Sequence, residues 1–293
     1  MKIVVGIPAF NEEKNIAGIL IKLKKISQHI IVCDDGSNDL TSEIAKELGA
    51  IMVRHEKNLG YGAAIKTIFL KAHEINADIL ITFDADGQHR IEDIGKVLEP
   101  IKNNVADAVI GSRFLNNNQN IPKYRKVGIK VITELTNIVG GTKITDSQSG
   151  FRAYSKKILE NIKPTESGMG ISTEILIKIQ KAGFKIVEVP IVVLYEGNTS
   201  THNPVSHGSA VIFSTLKYVA IERPLTFYGI PGIIFLCIGV FFSAWALQIF
   251  SVDRVLITNI VLIGGGGIIL GTVLMITATI LHSIVSVVRE KHN

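Results

Sequence analysis

Ile79-Leu80-Ile81-Thr82-Phe83-Asp84-Ala85-Asp86-Gly87-Gln88-His89 changes character at its middle. Ile79 to Phe83 is apolar enough for a strand buried on both faces, as parallel sheets require. Asp84 and Asp86 then fall at the strand's carboxyl end, where open α/β sheets bind their ligands. Two carboxylates one residue apart at such an edge offer hard oxygen ligands to a divalent cation, which can in turn hold a diphosphate. The same residues also suit a plain turn through Asp86-Gly87.

Outward from this stretch, strand signals recur at Lys2 to Ile7, His29 to Cys33, Ala50 to Arg54 and Ala108 to Gly111. Helical patterns such as Ile16, Ile19, Leu20, Leu23 and Ile26 separate them. This alternation predicts an α/β fold, a mostly parallel sheet with helices on both faces. A late strand spans Phe184 to Val193, and its Pro190 suits a sheet edge or a strand break. Asn116 to Asn120 reads as a loop.

The chain has 293 residues, 12 of them Phe, and 47% of its residues are hydrophobic, enough for a sizeable core. Leu225 to Phe250 and Asn259 to Val288 carry no Asp, Glu, Lys or Arg. As helices they would reach about 39 and 45 Å, against a hydrocarbon layer of about 30 Å. Both are expected to span a membrane as a hairpin, with Gly264 to Gly267 allowing close helix contact. Lys217, Arg223, Arg289 and Lys291 flank one side of the hairpin, whereas the short connection carries only Asp253 and Arg254. The positive-inside rule then places the N-terminal domain in the cytoplasm at the cell membrane, and no charged, cleavable leader precedes Ile3. Between Asn203 and Arg223, Val205, Val211, Ile212, Leu216, Val219 and Ala220 recur at roughly helical spacing, which predicts an interfacial helix or a core helix.

A net charge of +5 without a long basic run excludes a nucleic-acid partner and suits a lipid bilayer with anionic headgroups. Cys33 and Cys237 lack the spacing of a zinc or redox pair and read as small hydrophobes. His89, His202 and His207 also lack metal-ligand spacing and read as polar surface or interface residues.

Five motifs stand in order: Ile7-Pro8-Ala9-Phe10-Asn11-Glu12-Glu13, Asp34-Asp35-Gly36-Ser37-Asn38-Asp39, Asn58-Leu59-Gly60-Tyr61-Gly62, Asp84-Ala85-Asp86-Gly87-Gln88, and Gly111-Ser112-Arg113-Phe114. Over about residues 1 to 200 they resemble the nucleotide-sugar domain of glycosyltransferase family 2. The closer likeness is to its polyprenyl-phosphate branch, the dolichyl-phosphate mannose and glucose synthases and their archaeal relatives. The resemblance implies a GT-A-like catalytic domain over residues 1–202, followed by the interfacial helix at 203–224 and the membrane domain at 225–293. It also implies an enzyme using a UDP- or GDP-sugar with Mg²⁺ or Mn²⁺, and dolichyl or polyprenyl phosphate as acceptor.

Residue by residue, the resemblance assigns Pro8, Asn11 and Glu12 to the nucleotide-sugar loop, and Asp35 to the imino hydrogen of the base. Asp34 reads as a loop or cap residue. Asp84 and Asp86 become metal ligands with Gln88 as a candidate third, and Asp84 also borders the donor. Arg113 would hold the acceptor phosphate through its fork of donors, with Arg125 as a second candidate. The serine expected four residues after Arg125 is Ile129 here. Asp146-Ser147-Gln148-Ser149-Gly150-Phe151-Arg152 matches an acceptor loop, expected to be mobile, which adds Asp146 and Arg152 to the acceptor side. Glu174 stands where other family members carry a base; an ionised phosphate acceptor needs none. Processive polysaccharide synthases resemble the chain less, since their Gln-x-x-Arg-Trp motif is missing and the single Trp, Trp245, lies in an apolar span. An inactive membrane scaffold would have little use for Asp84, Asp86 and Arg113 together.

Overall fold

The computed structural model describes residues 1–115, 121–194, 216, 220–221 and 223–290. The chain divides into two units, Met1–Thr215 and Leu216–Asn293.

The first unit is built on a seven-stranded sheet. Its strands are β1 (Ile3–Ala9), β2 (His29–Asp34), β3 (Ile51–Arg54), β4 (Ile79–Thr82), β5 (Ala108–Ser112), β6 (Arg152–Ser155) and β7 (Ile186–Pro190), in the spatial order β3-β2-β1-β4-β6-β5-β7. Helices α1 (Glu13–Leu23), α2 (Thr41–Glu47), α3 (Tyr61–Glu74), α4 (Ile94–Lys102), α5 (Lys123–Gly140), α6 (Lys156–Asn161) and α7 (Ile171–Lys181) connect them. β1 to β4 pair in parallel, as do β5 and β7, so the alternating pattern is read correctly. β6 runs antiparallel between β4 and β5. Reversal has a functional consequence: the amino end of β6 meets the carboxyl ends of its neighbours on one rim.

Two apolar layers hold the sheet. Val5, Ile7, Leu20, Ile81, Phe83 and Val97 belong to one buried cluster, and Val4, Ile31, Ile68, Leu80, Tyr154 and Ile175 to the other. Neighbouring strand residues such as Val4 and Val5 serve opposite clusters, because successive side chains leave a strand on opposite faces. Near Gly6, any Cβ would run into Ile68 of α3, which fixes how closely that helix seats on β1. Pro190 ends β7 at a sheet edge, where a residue without an N–H costs no ladder bond. Just beyond it the Ile191 N–H still donates to the Ser112 carbonyl at 3.1 Å, and Val193 forms an isolated antiparallel bridge with His89.

In the second unit a π-helical turn, Leu225–Gly229, runs into α8 (Ile230–Asp253), and a second long helix, α9 (Thr258–Glu290), follows. Leu225–Asp253 and Thr258–Val287 are long and apolar enough to cross a membrane, and only 6% and 17% of their most apolar windows are buried within the protein. Their mutual contact runs through small residues. A Cβ on Gly239 would lie 2.8 Å from the Gly267 carbonyl carbon, and one on Gly271 would lie 2.8 Å from the Gly232 oxygen. Gly265 and Gly266 face open space. The expected interfacial helix at 203–224 falls largely outside the described residues, as do His202, His207 and the loop 116–120.

Candidate active site

The first loop of the rim is locked to the second. Asn11 adopts φ 56°, and its backbone N–H donates to Ser37 Oγ at 2.9 Å while its side-chain oxygen accepts from the Asn38 N–H at 2.9 Å. The Glu12 N–H donates to Thr41 Oγ1 at 2.8 Å, and Pro8 lies inside β1 opposite Cys33. Asp34 is fully buried, accepts from the Ser37 N–H and from Ser42 Oγ, and meets Arg54. That is the loop-holding role expected of it.

Asp35 stands beside it and points elsewhere. Its Oδ1 accepts from His55 Nδ1 at 2.6 Å and from the Leu59 N–H at 3.0 Å; its Oδ2 accepts from the Gly60 N–H at 2.8 Å. Gly36, at φ +77°, lies so close to Lys57 and Asn58 that a Cβ would stand 2.6 Å from the Lys57 carbonyl carbon. The Gly60-Tyr61 dipeptide thus serves two carboxylates, since Tyr61 Oη also donates to Asp84 Oδ1 at 3.4 Å.

Asp84 and Asp86 follow β4 as the sequence predicts, but their environments differ. Burial pushes the Asp84 carboxyl up, and the hydrogen bond and charge of His89, with the charge of Arg113, outweigh it and hold the group below its ordinary value. Asp86 is raised, by burial first and by the charge of Asp84 second; Arg125 lowers it through its charge. Glu12 is raised too, by burial first and then by Asp86, Asp39 and Asp84. One cation would relieve all of this repulsion, so the residues fit a hard divalent metal. Among the described residues no cluster of three or more His, Cys, Asp and Glu side chains gathers to hold a metal ion. Remaining ligands must then come from Gln88, water or a substrate's oxygens. The Gln88 N–H donates to Asp86 Oδ1 at 2.9 Å.

His89 is not the surface residue that its spacing suggested. Its side chain is 8% exposed, its ring packs against Phe83 and Phe151 at 5.7 and 5.3 Å, and Nε2 lies 3.1 Å from Asp84 Oδ2. Nδ1 is buried without a hydrogen-bond partner. The partner of a histidine five residues from a carboxylate on a turn could have been suspected from the sequence; the aromatic slot that buries it could not.

On the far side, Arg113 forms a two-pronged pair with Asp146, Nε to Oδ2 and Nη2 to Oδ1 both at 2.7 Å. Asp146 is fully buried, and although burial raises its carboxyl, Arg113 outweighs this and leaves it below the usual range. Asp146 therefore aims Arg113 and itself lies wholly inside. Arg152 is turned inward as well. It is 2% exposed, and it donates from Nε to the Ser149 carbonyl, from Nη2 to that of Ser147 and from Nη1 to that of Ser172, at 2.7, 2.7 and 2.9 Å. Its guanidinium clasps the loop from inside. Glu188 adds a second tie by accepting from the Thr145 and Asp146 N–H groups at 2.8 and 3.0 Å, so residues 146–152 are cross-braced. Glu174 is equally committed, to Lys178 at 2.6 Å, to the Glu166 N–H at 2.8 Å and to Thr165.

Gly150 brings this loop under Asp84. A Cβ there would lie 2.7 Å from Asp84 Oδ1, a contact that the carboxylate could escape by swinging away. Gly150→Ala is therefore expected to drive Asp84 off its bonds to His89 and Tyr61, lowering the melting temperature of the metal-free protein and weakening Mn²⁺ binding roughly 10- to 100-fold, as losses next to a ligand do. Calorimetric titration with Mn²⁺ checks this; wild-type affinity would free Asp84 from its supposed task.

The sequence profile of glycosyl transferase family 2 matches residues 4–163, more than half of the chain. The chain belongs to glycosyl transferase family 2. It is 40% identical over 211 residues to UDP-N-acetylglucosamine–dolichyl-phosphate N-acetylglucosaminyltransferase of Methanococcus voltae, covering 64% of this chain and 84% of that one. It is 31% identical over 225 residues to dolichyl-phosphate hexose transferase of Haloferax volcanii, covering 76% and 95%. Its fold is similar to that of glucosyl-3-phosphoglycerate synthase from Mycobacterium tuberculosis, solved with Mn²⁺ and UDP-glucose, at a TM-score of 0.59 and 20% identity over 75% of this chain and 78% of that one. This family 2 glycosyltransferase thus has a GT-A-like sheet domain followed by two apolar helices.

Proposed function

We propose that this enzyme transfers a single hexose or N-acetylhexosamine from a UDP- or GDP-sugar to dolichyl or polyprenyl phosphate, with inversion at the anomeric carbon. The observation that carries the reading is the sharing of one rim by the Asp84–Asp86 pair and the Arg113 fork. The names of the two archaeal relatives point to the same acceptor class.

Asp84, Asp86 and the candidate ligand Gln88 would hold Mg²⁺ or Mn²⁺, which when bound supplies Lewis-acid stabilisation of a departing diphosphate. Pro8, Asn11 and Glu12 shape the donor loop, and Asp35 meets the ring N–H of the base. Arg113, aimed by Asp146, holds the acceptor phosphate with help from the charge of Arg125. That phosphate is ionised at neutral pH and attacks in line without a base. The engagement of Glu174 with Lys178 and the 165–166 backbone supports a base-free attack. An α-linked donor gives a β-linked lipid product.

The test is incubation of the purified protein with dolichyl phosphate and a panel of UDP- and GDP-sugars, with mass analysis of the lipid. One donor should yield a single-sugar lipid phosphate; longer oligosaccharides would favour a processive enzyme instead.

The same reading has α8 and α9 cross the membrane as a hairpin, with the catalytic domain and the C-terminal end in the cytoplasm. A cysteine at Asp253 is expected to react with an impermeant thiol reagent in intact cells, and one appended after Asn293 only once the membrane is opened. Labelling of both from outside would refute the hairpin.

A further inference from the structure

We propose that His55 is a specificity-determining positioning residue: it fixes Asp35 so that the carboxylate accepts a single ring N–H and rejects bases that present a lone pair there. The inference rests on the reading of Asp35 as the residue that meets the base.

Hydrogen-bond capacity carries the argument. A carboxylate oxygen offers two lone pairs. Both on Oδ1 are engaged, by His55 Nδ1 at 2.6 Å and the Leu59 N–H at 3.0 Å, and one on Oδ2 is engaged by the Gly60 N–H at 2.8 Å. One acceptor site is left. An ionised carboxylate has no proton to give, so only a donor can fill that site: N3–H of uracil or N1–H of guanine. Cytosine and adenine present a bare nitrogen at the matching position and would leave two lone pairs facing each other, a costly mismatch in a buried setting. The side chain of Asp35 is 5% exposed, so water offers little relief.

Discrimination of this kind fails if the carboxyl rotates, and His55 prevents this by holding Oδ1. Its ring, 11% exposed, must carry the proton on Nδ1 to serve the carboxylate. Nε2 then accepts from Thr67 Oγ1 at 2.9 Å on α3, with Cys33 Sγ at 3.7 Å beside it. Burial, and then the charge of Asp35, push the Cys33 thiol up to about 12, so it stays protonated and cannot compete for the imidazole proton. Asp35, His55 and Thr67 thus form a hydrogen-bonded row that ties the base-reading group to the helix whose first residue, Tyr61, holds Asp84. None of the three is paired with another by sequence spacing; the residues that follow β2 and β3, together with α3, bring them together.

The experiment measures binding of two matched nucleotide pairs, UDP against CDP and GDP against ADP, to the full-length protein in detergent with Mg²⁺. Wild type should prefer the first member of at least one pair. His55→Ala should weaken binding of that preferred nucleotide roughly tenfold, the size of one lost hydrogen bond to a charged group, while its CDP or ADP counterpart changes less, so that the preference shrinks. His55→Asn, whose amide N–H occupies the place of Nδ1–H, should restore most of the preference. Thr67→Val, near in shape and without the hydroxyl, should move the ratio in the same direction by a smaller factor and serves where His55→Ala does not fold. Equal weakening of both members of a pair, or an unchanged preference in both variants, would overturn the proposal. Asp35→Ala separates the two layers: if it leaves the preference intact, the base is read elsewhere and the assignment of Asp35 falls, taking that of His55 with it.

Discussion

Asp86→Asn is expected to reduce sugar transfer at least a hundredfold, within the range seen when one transition-state charge partner is removed. The substitution hardly changes side-chain volume and takes away one anionic ligand, so its effects on stability should separate by sign. Without metal, the variant should melt higher than wild type, because a charge that burial and then the neighbouring Asp84 disfavour is gone. With saturating Mn²⁺ or Mg²⁺, wild type should gain stability by mass action and the variant should gain little. Acid should weaken the metal response of wild type as well. A raised Asp86 takes up its proton at a higher pH than an ordinary aspartate, and a protonated carboxyl is a poor ligand, so metal affinity should fall as pH drops through that raised value. Full transfer by the folded variant in a chelator would remove both carboxylates from the proposed chemistry.

The parts of this site that were legible in the sequence are those set by local pattern. Ile79 to Phe83 announces a buried strand, and a carboxylate pair after a buried strand reaches the ligand edge whatever lies around it. Leu225 and Asn259 each open an uncharged run longer than most cores need, and two long apolar helices are what the chain forms. β6 could not be read this way. Arg152-Ala153-Tyr154-Ser155 is four residues long, begins with a charge and lacks the apolar run expected of a central strand. Its arginine lies inside because three carbonyls of its own loop and neighbourhood satisfy it, a condition that only the tertiary fold creates. The same holds for the partners of His55 and for the aromatic slot that buries His89, which packing sets and spacing does not. Asp146 matches an acceptor loop by its motif, but its pairing with Arg113, 33 positions earlier in the chain, is a product of the tertiary fold.

That return makes Arg113 the second position where a large effect is expected. Arg113→Ala should lower use of the lipid phosphate roughly a hundredfold while nucleotide-sugar binding survives, since the deleted donors belong to the acceptor side. The single variant carries a structural fault as well. Asp146 would be left buried without its partner, and breaking a buried pair costs about 3 to 5 kcal/mol. The pH dependence identifies this fault. In wild type the folded carboxyl lies below its unfolded value, so the stabilisation by the pair is fully present above the ordinary aspartate range near about 3.9 and is lost as pH falls through the lowered value. In Arg113→Ala the guanidinium charge is gone and only the backbone N–H groups of residue 113 and Gln148 oppose burial, so the Asp146 carboxyl should rise from its wild-type position and the variant should recover stability relative to wild type on acidification. Arg113→Ala/Asp146→Ala removes both charges and should regain most of the lost melting temperature at neutral pH, yet transfer to dolichyl phosphate should stay low. Thermal melts and steady-state assays with separately varied donor and acceptor distinguish the two losses. If the double variant recovers transfer along with stability, Arg113 is a structural residue and the acceptor phosphate is held elsewhere on the rim; if the single variant loses donor binding instead, Arg113 serves the nucleotide sugar.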